Sequence, residues 1–315
     1  MLYYKQKKGA CLQMAETLKC AIVGLDTSHA TEFPKFMQDP AMEPEFQVKT
    51  LRATRALRFA TPFQQKEGLD KRQAYLEGIG VEVTEDFDTA VADCDAIFIE
   101  INDPALHLEY FRKCATLGKP IFLDKPFADT LDHAVGILKI AKENCVRFFT
   151  ASSLRFDANI VDAHAEMPEI DQGITWGPLG IAPAGSSIVW YGVHTFEMLE
   201  KIMGPGAIAV TSVPDRQGVV CTVSYGDGRR GTVMLTNGNY NYGGVLRKGN
   251  NNRMFTYGGG KYLYHNLVEY IGNFFRGEAE GVPLEESFEI MAMLEAAELS
   301  LKFGRTMPVY QYPNL

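Results

Sequence analysis

The sequence predicts an α/β protein: an N-terminal doubly wound parallel sheet of the Rossmann type, followed by an α+β domain with a mostly antiparallel sheet. Three observations carry this. Short apolar runs alternate with amphipathic stretches from residue 18 to about 150, and strands separated by helices pair in parallel through right-handed crossovers. After residue 151 strand-like runs meet instead at a turn, Asp227-Gly228, which is the mark of an antiparallel hairpin. The chain of 315 residues fits two domains of the usual size, roughly 100–200 residues each.

The elements follow in order. Residues 1–17 precede the first convincing strand, contain a second methionine at Met14, and read as a tail. LKCAIVGL is a strand ending in glycine, and the polar loop DTSHATEF after it opens a βα unit. Pro34 biases Phe33 away from helical geometry, which predicts a late start for the first helix. The alternation continues with a helix at 86–93, a strand at 96–100, a helix at 106–117, a strand at 120–123, a helix at 131–144 and a strand at 146–150. In the second half the pattern gives a helix at 195–203 and hairpin strands at 219–225 and 231–235. Loops follow at 237–241 and 248–252, then helices at 264–275 and 284–303 with Gly304 as a C-terminal stop. The division expected is a tail at 1–17, a dinucleotide-binding domain at 18–150, and a substrate-binding and oligomerisation domain at 151–315.

Composition removes several classes of function. An apolar share of 46% and a charged share of 22% are those of a globular protein. The net charge of −8, with no basic run beyond Lys5–Lys8, leaves no electrostatic footprint for nucleic acid. No apolar stretch approaches the roughly 20 residues of a membrane span. Six widely spaced cysteines without a C-x-x-C pair or a secretory segment read as reduced thiols in the cytoplasm. His29, His133, His164 and His265 show no metal-ligand spacing with acids or cysteines, so no metal is expected.

Four segments carry the chemistry: Asn102-Asp103-Pro104-Ala105-Leu106-His107, then Gly118 through Asp124-Lys125-Pro126, then Gly192-Val193-His194, and the closing run at 284–305. In this order and spacing they resemble the Gfo/Idh/MocA oxidoreductase family, over nearly the whole chain from Leu18. The resemblance implies NAD or NADP as cofactor and a sugar, cyclitol or related polyhydroxylated substrate, with a homodimer or homotetramer as the assembly. It also admits a glycoside hydrolase that retains its nicotinamide, and a non-catalytic sugar- or nucleotide-binding regulatory protein. Lys125 then lies near the nicotinamide and the reacting hydroxyl, and His194 handles that hydroxyl's proton. Asn102, Pro104, His107 and Asp124, the last in place of the family's usual glutamate, border the cofactor. Arg155 enters the second domain as a substrate contact or, equally, as a surface ion pair. Trp190 stands where the family often has an aspartate, and either stacks on a sugar ring or packs in the core.

The first turn departs from the dinucleotide fingerprint G-x-G-x-x-G. Of Gly24-Leu25-Asp26-Thr27-Ser28-His29 only Gly24 is retained, although Gly24, Asp26, Thr27 and Ser28 hold the cofactor-binding register. A carboxylate facing a phosphate at ~4 Å costs about 4 kcal/mol in a surface-like dielectric. Asp26 must therefore turn away, as a capping residue readily does, or the cofactor binds differently or not at all. Residues 46–59 contain no Asp or Glu but hold Lys49, Arg52, Arg55 and Arg58, which favours NADP over NAD unless these cations are a solvated face.

Overall fold

β1 (Leu18–Val23) buries Cys20, Ala21, Ile22 and Val23 in succession, as a central parallel strand covered on both faces requires. The computed structural model describes residues 17–313, so all of the expected tail except Thr17 lies outside the described residues. From β1 the chain runs through α1 (His29–Gln38), β2 (Leu51–Leu57), α2 (Lys66–Gly78), β3 (Glu82–Thr84), α3 (Phe87–Val91), β4 (Ala96–Ile99), α4 (His107–Ala115), β5 (Ile121–Leu123), α5 (Leu131–Glu143) and β6 (Phe148–Thr150). All six strands are parallel, in the order β3-β2-β1-β4-β5-β6. The strand order reverses direction between β1 and β4, and ligands of doubly wound sheets bind outside the carboxyl ends at such a switch point.

The second half contains α6 (Ala158–Glu166), β7 (Gln172–Pro178), α7 (Val193–Met203), β8 (Ala207–Pro214), β9 (Gly218–Tyr225), β10 (Arg230–Thr236), β11 (Gly243–Lys248), β12 (Asn251–Thr256), α8 (Lys261–Phe275), α9 (Leu284–Phe303) and β13 (Met307–Pro308). Its seven strands lie in the order β12-β11-β7-β10-β9-β8-β13, antiparallel throughout except for β10 against β7. α7 and α9 cover one face; on the other, Val213, Met234 and Met254 are exposed. Gly304, left-handed at φ 64 and ψ 30, closes α9 as expected.

Several local expectations are corrected. α1 begins at His29 with Pro34 inside it; Phe33 and Pro34 are both buried, and that burial outweighs the one backbone hydrogen bond a proline forfeits. The helix at 106–117 divides into a 3-10 turn, Pro104–Leu106, capped by the Asp103 side chain on the Ala105 N–H, and α4 proper. Residues 248–252 are no loop: Lys248 pairs with Asn251, so only Gly249, at φ 56, and Asn250 form the turn. A π-helical turn, Ile188–Gly192, leads into α7.

The larger finding concerns α8. It belongs to the second half by sequence, yet Leu267, Val268, Ile271, Phe274 and Phe275 share one core with Leu51, Phe98, Phe122 and Phe149 of the first sheet. Phe274 meets Phe149 edge-on at 4.9 Å and Phe275 meets Phe98 at 5.2 Å. The chain thus crosses back, and one helix of the late sequence closes a face of the early sheet. We expect Phe274→Ala to cost about 3–5 kcal/mol of stability, the usual toll of emptying a buried aromatic site, and to loosen the first sheet; chemical denaturation checks the size, and hydrogen exchange in β5 and β6 checks the location.

Candidate active site at the switch point

β1 ends at Gly24, whose φ is 106; an added Cβ would meet the Glu100 carbonyl oxygen at 2.5 Å and Ile101 Cγ1 at 2.8 Å. Only glycine fits so close a passage to the end of β4. Asp26, in the second-glycine position, does turn away. Its carboxylate accepts hydrogen bonds from the Asn102 N–H (2.8 Å), the Asp103 N–H (3.3 Å) and the Thr61 hydroxyl (2.7 Å). Burial raises its pKa above 3.8, although these donors pull the other way. With the side chain so engaged, the Thr27 and Ser28 N–H groups at the start of α1 have no hydrogen-bond partner among the described residues.

His29, in the third-glycine position, is buried, stacks on Phe33 at 4.8 Å, and places Nδ1 3.0 Å from both oxygens of Asp124. Asp124, directly after β5, has no exposed surface. Burial would raise its pKa, but the neighbouring His29 and Lys125 charges outweigh that and hold it below the ordinary carboxylate range. Glu100, directly after β4, is 1% exposed, and neither of its oxygens has a partner. Burial, reinforced by Asp124, pushes its pKa well above 4.5. Lys125 is buried at 6% exposure rather than solvated.

The second domain completes the cleft. A cavity of about 360 Å³ is lined by Thr27, Ser28, His29, Asn102 and Lys125 from the first domain and by Trp190, Tyr191, His194 and Tyr242 from the second. His194 Nδ1 lies 2.7 Å from Ser152 Oγ, leaving Nε2 as the ring atom available to a ligand. Burial first, and then the charges of Lys125 and His29, press the His194 pKa well below 6.5, so the ring is neutral at physiological pH. The Trp190 indole N–H donates to Asn102 Oδ1 at 2.8 Å, and its ring lies against Phe63 and Tyr191. Trp190 thereby lines the cavity and also ties the domains together.

The remaining sequence-derived residues lie elsewhere. Arg155 does not line the cavity: its guanidinium donates to Glu197 and, at 2.6 Å, to Glu286. Its ion pair is a buried one, not a surface one. His107 is wholly buried and bridges the Ile101 carbonyl (2.8 Å) to the Phe127 carbonyl (3.3 Å), pinning the loop after β4 to the loop after β5. Pro104 borders a different depression, beside Thr130 and Glu295. Of the four cations at 49–58 only Arg58 stands beyond β2, and its guanidinium is engaged by Gln73 and Asp70; Arg55 pairs with Glu82. They supply no free cation for a 2′-phosphate. Sequence reasoning noted His29 only as a departure from the glycine turn, and missed Glu100 and the tyrosines Tyr191, Tyr242, Tyr257 and Tyr264. The one available signal was a bulky polar residue at 29, where the fingerprint asks for glycine.

Residues 18–152 match the family model described as oxidoreductase family, NAD-binding Rossmann fold. No curated protein matches the sequence. Among solved structures, myo-inositol dehydrogenase from Lactobacillus casei, in complex with NAD(H) and myo-inositol, superposes with a TM-score of 0.78 at 13% identity, covering 95% of this chain and 98% of that one. A putative myo-inositol dehydrogenase from Sinorhizobium meliloti 1021 gives 0.74 at 15%, covering 93% and 100%. A probable dehydrogenase from Thermotoga maritima gives 0.74 at 16%, covering 93% and 99%. At these identities the likeness is one of fold.

Because Asp26 is an acceptor for two backbone N–H groups rather than a charge facing the cleft, restoring the fingerprint should not help. We expect Asp26→Gly to lower stability by about 1–3 kcal/mol, the cost of unsatisfied buried donors, and to leave dinucleotide affinity no better; thermal unfolding and a fluorescence titration read the two, and a gain in affinity would restore the repulsion argument.

Proposed function

We propose that this chain, whose residues 18–152 match the model of an NAD-binding Rossmann oxidoreductase family, is a Gfo/Idh/MocA-type NAD-dependent dehydrogenase of a cyclitol or sugar, acting in the cavity between the two domains. The observation that carries the reading is the convergence of Lys125, from the end of β5, and His194, from α7, on one cavity with aromatic walls. Such walls suit the apolar face of a polyol ring, and a few polar groups then fix its orientation.

The first turn fits a dinucleotide. Gly24 keeps the passage that a Cβ would fill, Asp26 has withdrawn its charge, and the free N–H groups of Thr27 and Ser28 open a helix whose dipole favours a pyrophosphate. Asn102 lines the same cavity, while Asp124, expected beside the cofactor, has no exposed surface and stands behind the cavity wall. With Arg58 already paired, the cation argument for NADP falls away and NAD is the cofactor proposed. When bound, the nicotinamide supplies the hydride acceptor or donor.

The chain's own residues do the rest. Lys125 donates a hydrogen bond to the reacting hydroxyl and favours its deprotonated form by charge. In the tautomer that acts as a base, His194 Nδ1–H donates to Ser152 Oγ and Nε2 presents its lone pair to the hydroxyl proton. Trp190 and Tyr242 exclude water and hold the ring. The exposed apolar side chains of the second sheet, Val213, Met234 and Met254, are the face we assign to a homodimer or homotetramer.

Incubation with NAD and a panel of cyclitols and aldoses, followed by nicotinamide absorbance, tests the reading. No reduction with any of them, in protein shown to bind NAD, would overturn it. We expect Lys125→Met, which keeps the buried stem, to lose about 100- to 1,000-fold in turnover, the scale for removing one preorganised electrostatic donor. His194→Asn should cost about 100- to 10,000-fold in rate with substrate affinity largely kept. Because the His194 pKa is depressed, its base form persists into mild acid. The acid limb of the oxidation rate should therefore lie below 6.5; a limb above neutrality would remove His194 as the base.

A further inference from the structure

We propose that His29, Glu100 and Asp124 form a site for one first-row divalent cation of the Zn²⁺ or Mn²⁺ class, set in the floor of the cleft. The three residues follow β1, β4 and β5, the neighbouring strands that flank the switch point. Each offers a ligand atom, and these atoms all lie within 4.8 Å of one another. His29 Nδ1 is 3.0 Å from Asp124 Oδ1 and 4.0 Å from Glu100 Oε2. With metal–ligand bonds of about 2.1 Å, adjacent ligands stand roughly 3.0–3.4 Å apart and opposed ones about 4.2 Å. One ion therefore spans these atoms after sub-ångström adjustment.

Proximity alone would be a cluster of polar groups. Glu100 supplies the independent observation, since its side chain is buried, lies within the cluster, and leaves both oxygens without a hydrogen-bond partner. Native structures answer such a group with a water or an ion. A water would offer Glu100 one hydrogen-bond partner, whereas a divalent cation takes Glu100, Asp124 and His29 together as ligands. One imidazole nitrogen with two carboxylate oxygens suits Zn²⁺, Mn²⁺ or Fe²⁺ better than the soft Cu⁺ or the all-oxygen sphere of Mg²⁺. On binding, His29 gives up its hydrogen bond to Asp124, coordinates through Nδ1 and carries its proton on Nε2. His29 also lines the cavity, so the ion would stand at the edge of the substrate space. Residue spacing could not reveal this cluster, because His29 and Asp124 are 95 positions apart.

The test reads binding and stability, not turnover, and so stands apart from the dehydrogenase reading. Full-length protein, stripped with a chelator and dialysed, is titrated calorimetrically with ZnCl₂ and with MnCl₂, and its thermal midpoint is followed. A single saturable equivalent per chain with a raised midpoint is the expected result. Glu100→Gln keeps the shape and removes an unpartnered buried acid, so the stripped variant should melt no lower than stripped wild type. It should bind the cation about 100-fold more weakly or worse. Glu200→Gln, at a second buried acid without a partner but outside the cluster, should bind as wild type does. Should Glu100→Gln not fold, His29→Gln takes its place. No stoichiometric binding by stripped wild type, or equal binding by the cluster variant, overturns the proposal.

Discussion

A carboxylate without contact with water dictates the layout of this cleft. Asp124 is fully enclosed where β5 ends, and burial alone would drive it towards the neutral acid. It is answered by the His29 imidazole across the sheet mouth and by the Lys125 charge beside it. His29 meets that demand from the first turn of α1, at the position where the fingerprint has glycine. Lys125, the next residue in the chain, is buried as well and adds its charge without a direct ion pair among the described residues.

Asp26 does for the backbone what His29 does for Asp124. Its carboxylate gathers the Asn102 and Asp103 N–H groups and the Thr61 hydroxyl, and so ties the turn after β1 to the loop after β4. Asn102 passes the connection on to the second domain through the Trp190 indole. Losing two glycines has not eroded the turn into a neutral loop. It has exchanged conformational freedom for cross-links that hold the walls of the cavity before any ligand arrives, and such preorganisation is what positioning a hydroxyl for reaction requires.

The fold was legible because its signals are local. Alternating strand and helix periods, the Asp227-Gly228 turn and Gly304 each act within a few residues, and each lies where the pattern put it. Lys125 and His194 were legible through motifs read by resemblance, and the structure brings both to one cavity. What stayed hidden depended on contacts remote in sequence. α8 carries an ordinary amphipathic pattern that cannot say which sheet it covers. Arg155 has an unremarkable neighbourhood until α7 and α9 bring Glu197 and Glu286 to it. Pro34 obeyed a local rule that buried packing overrode.

Arg155 shows how such remote contacts serve the chemistry. Ser152 caps one short 3-10 turn, Ser153–Phe156, and Arg155 lies within it, while His194 and Glu197 stand about one turn apart on α7. Two parallel stitches then join the elements, Ser152 to His194 and Arg155 to Glu197. The hydroxyl sets the tilt of the imidazole, while the buried ion pair fixes the helix that carries it. Glu286 extends the tie to α9. A buried ion pair is a poor source of net stability, since desolvation consumes most of its attraction. Its yield is a single allowed geometry, because displacing any member strands a charge in the interior. Arg155 thus acts on the His194 position without touching the cavity, and the second domain spends buried charge on the precision of one ring nitrogen.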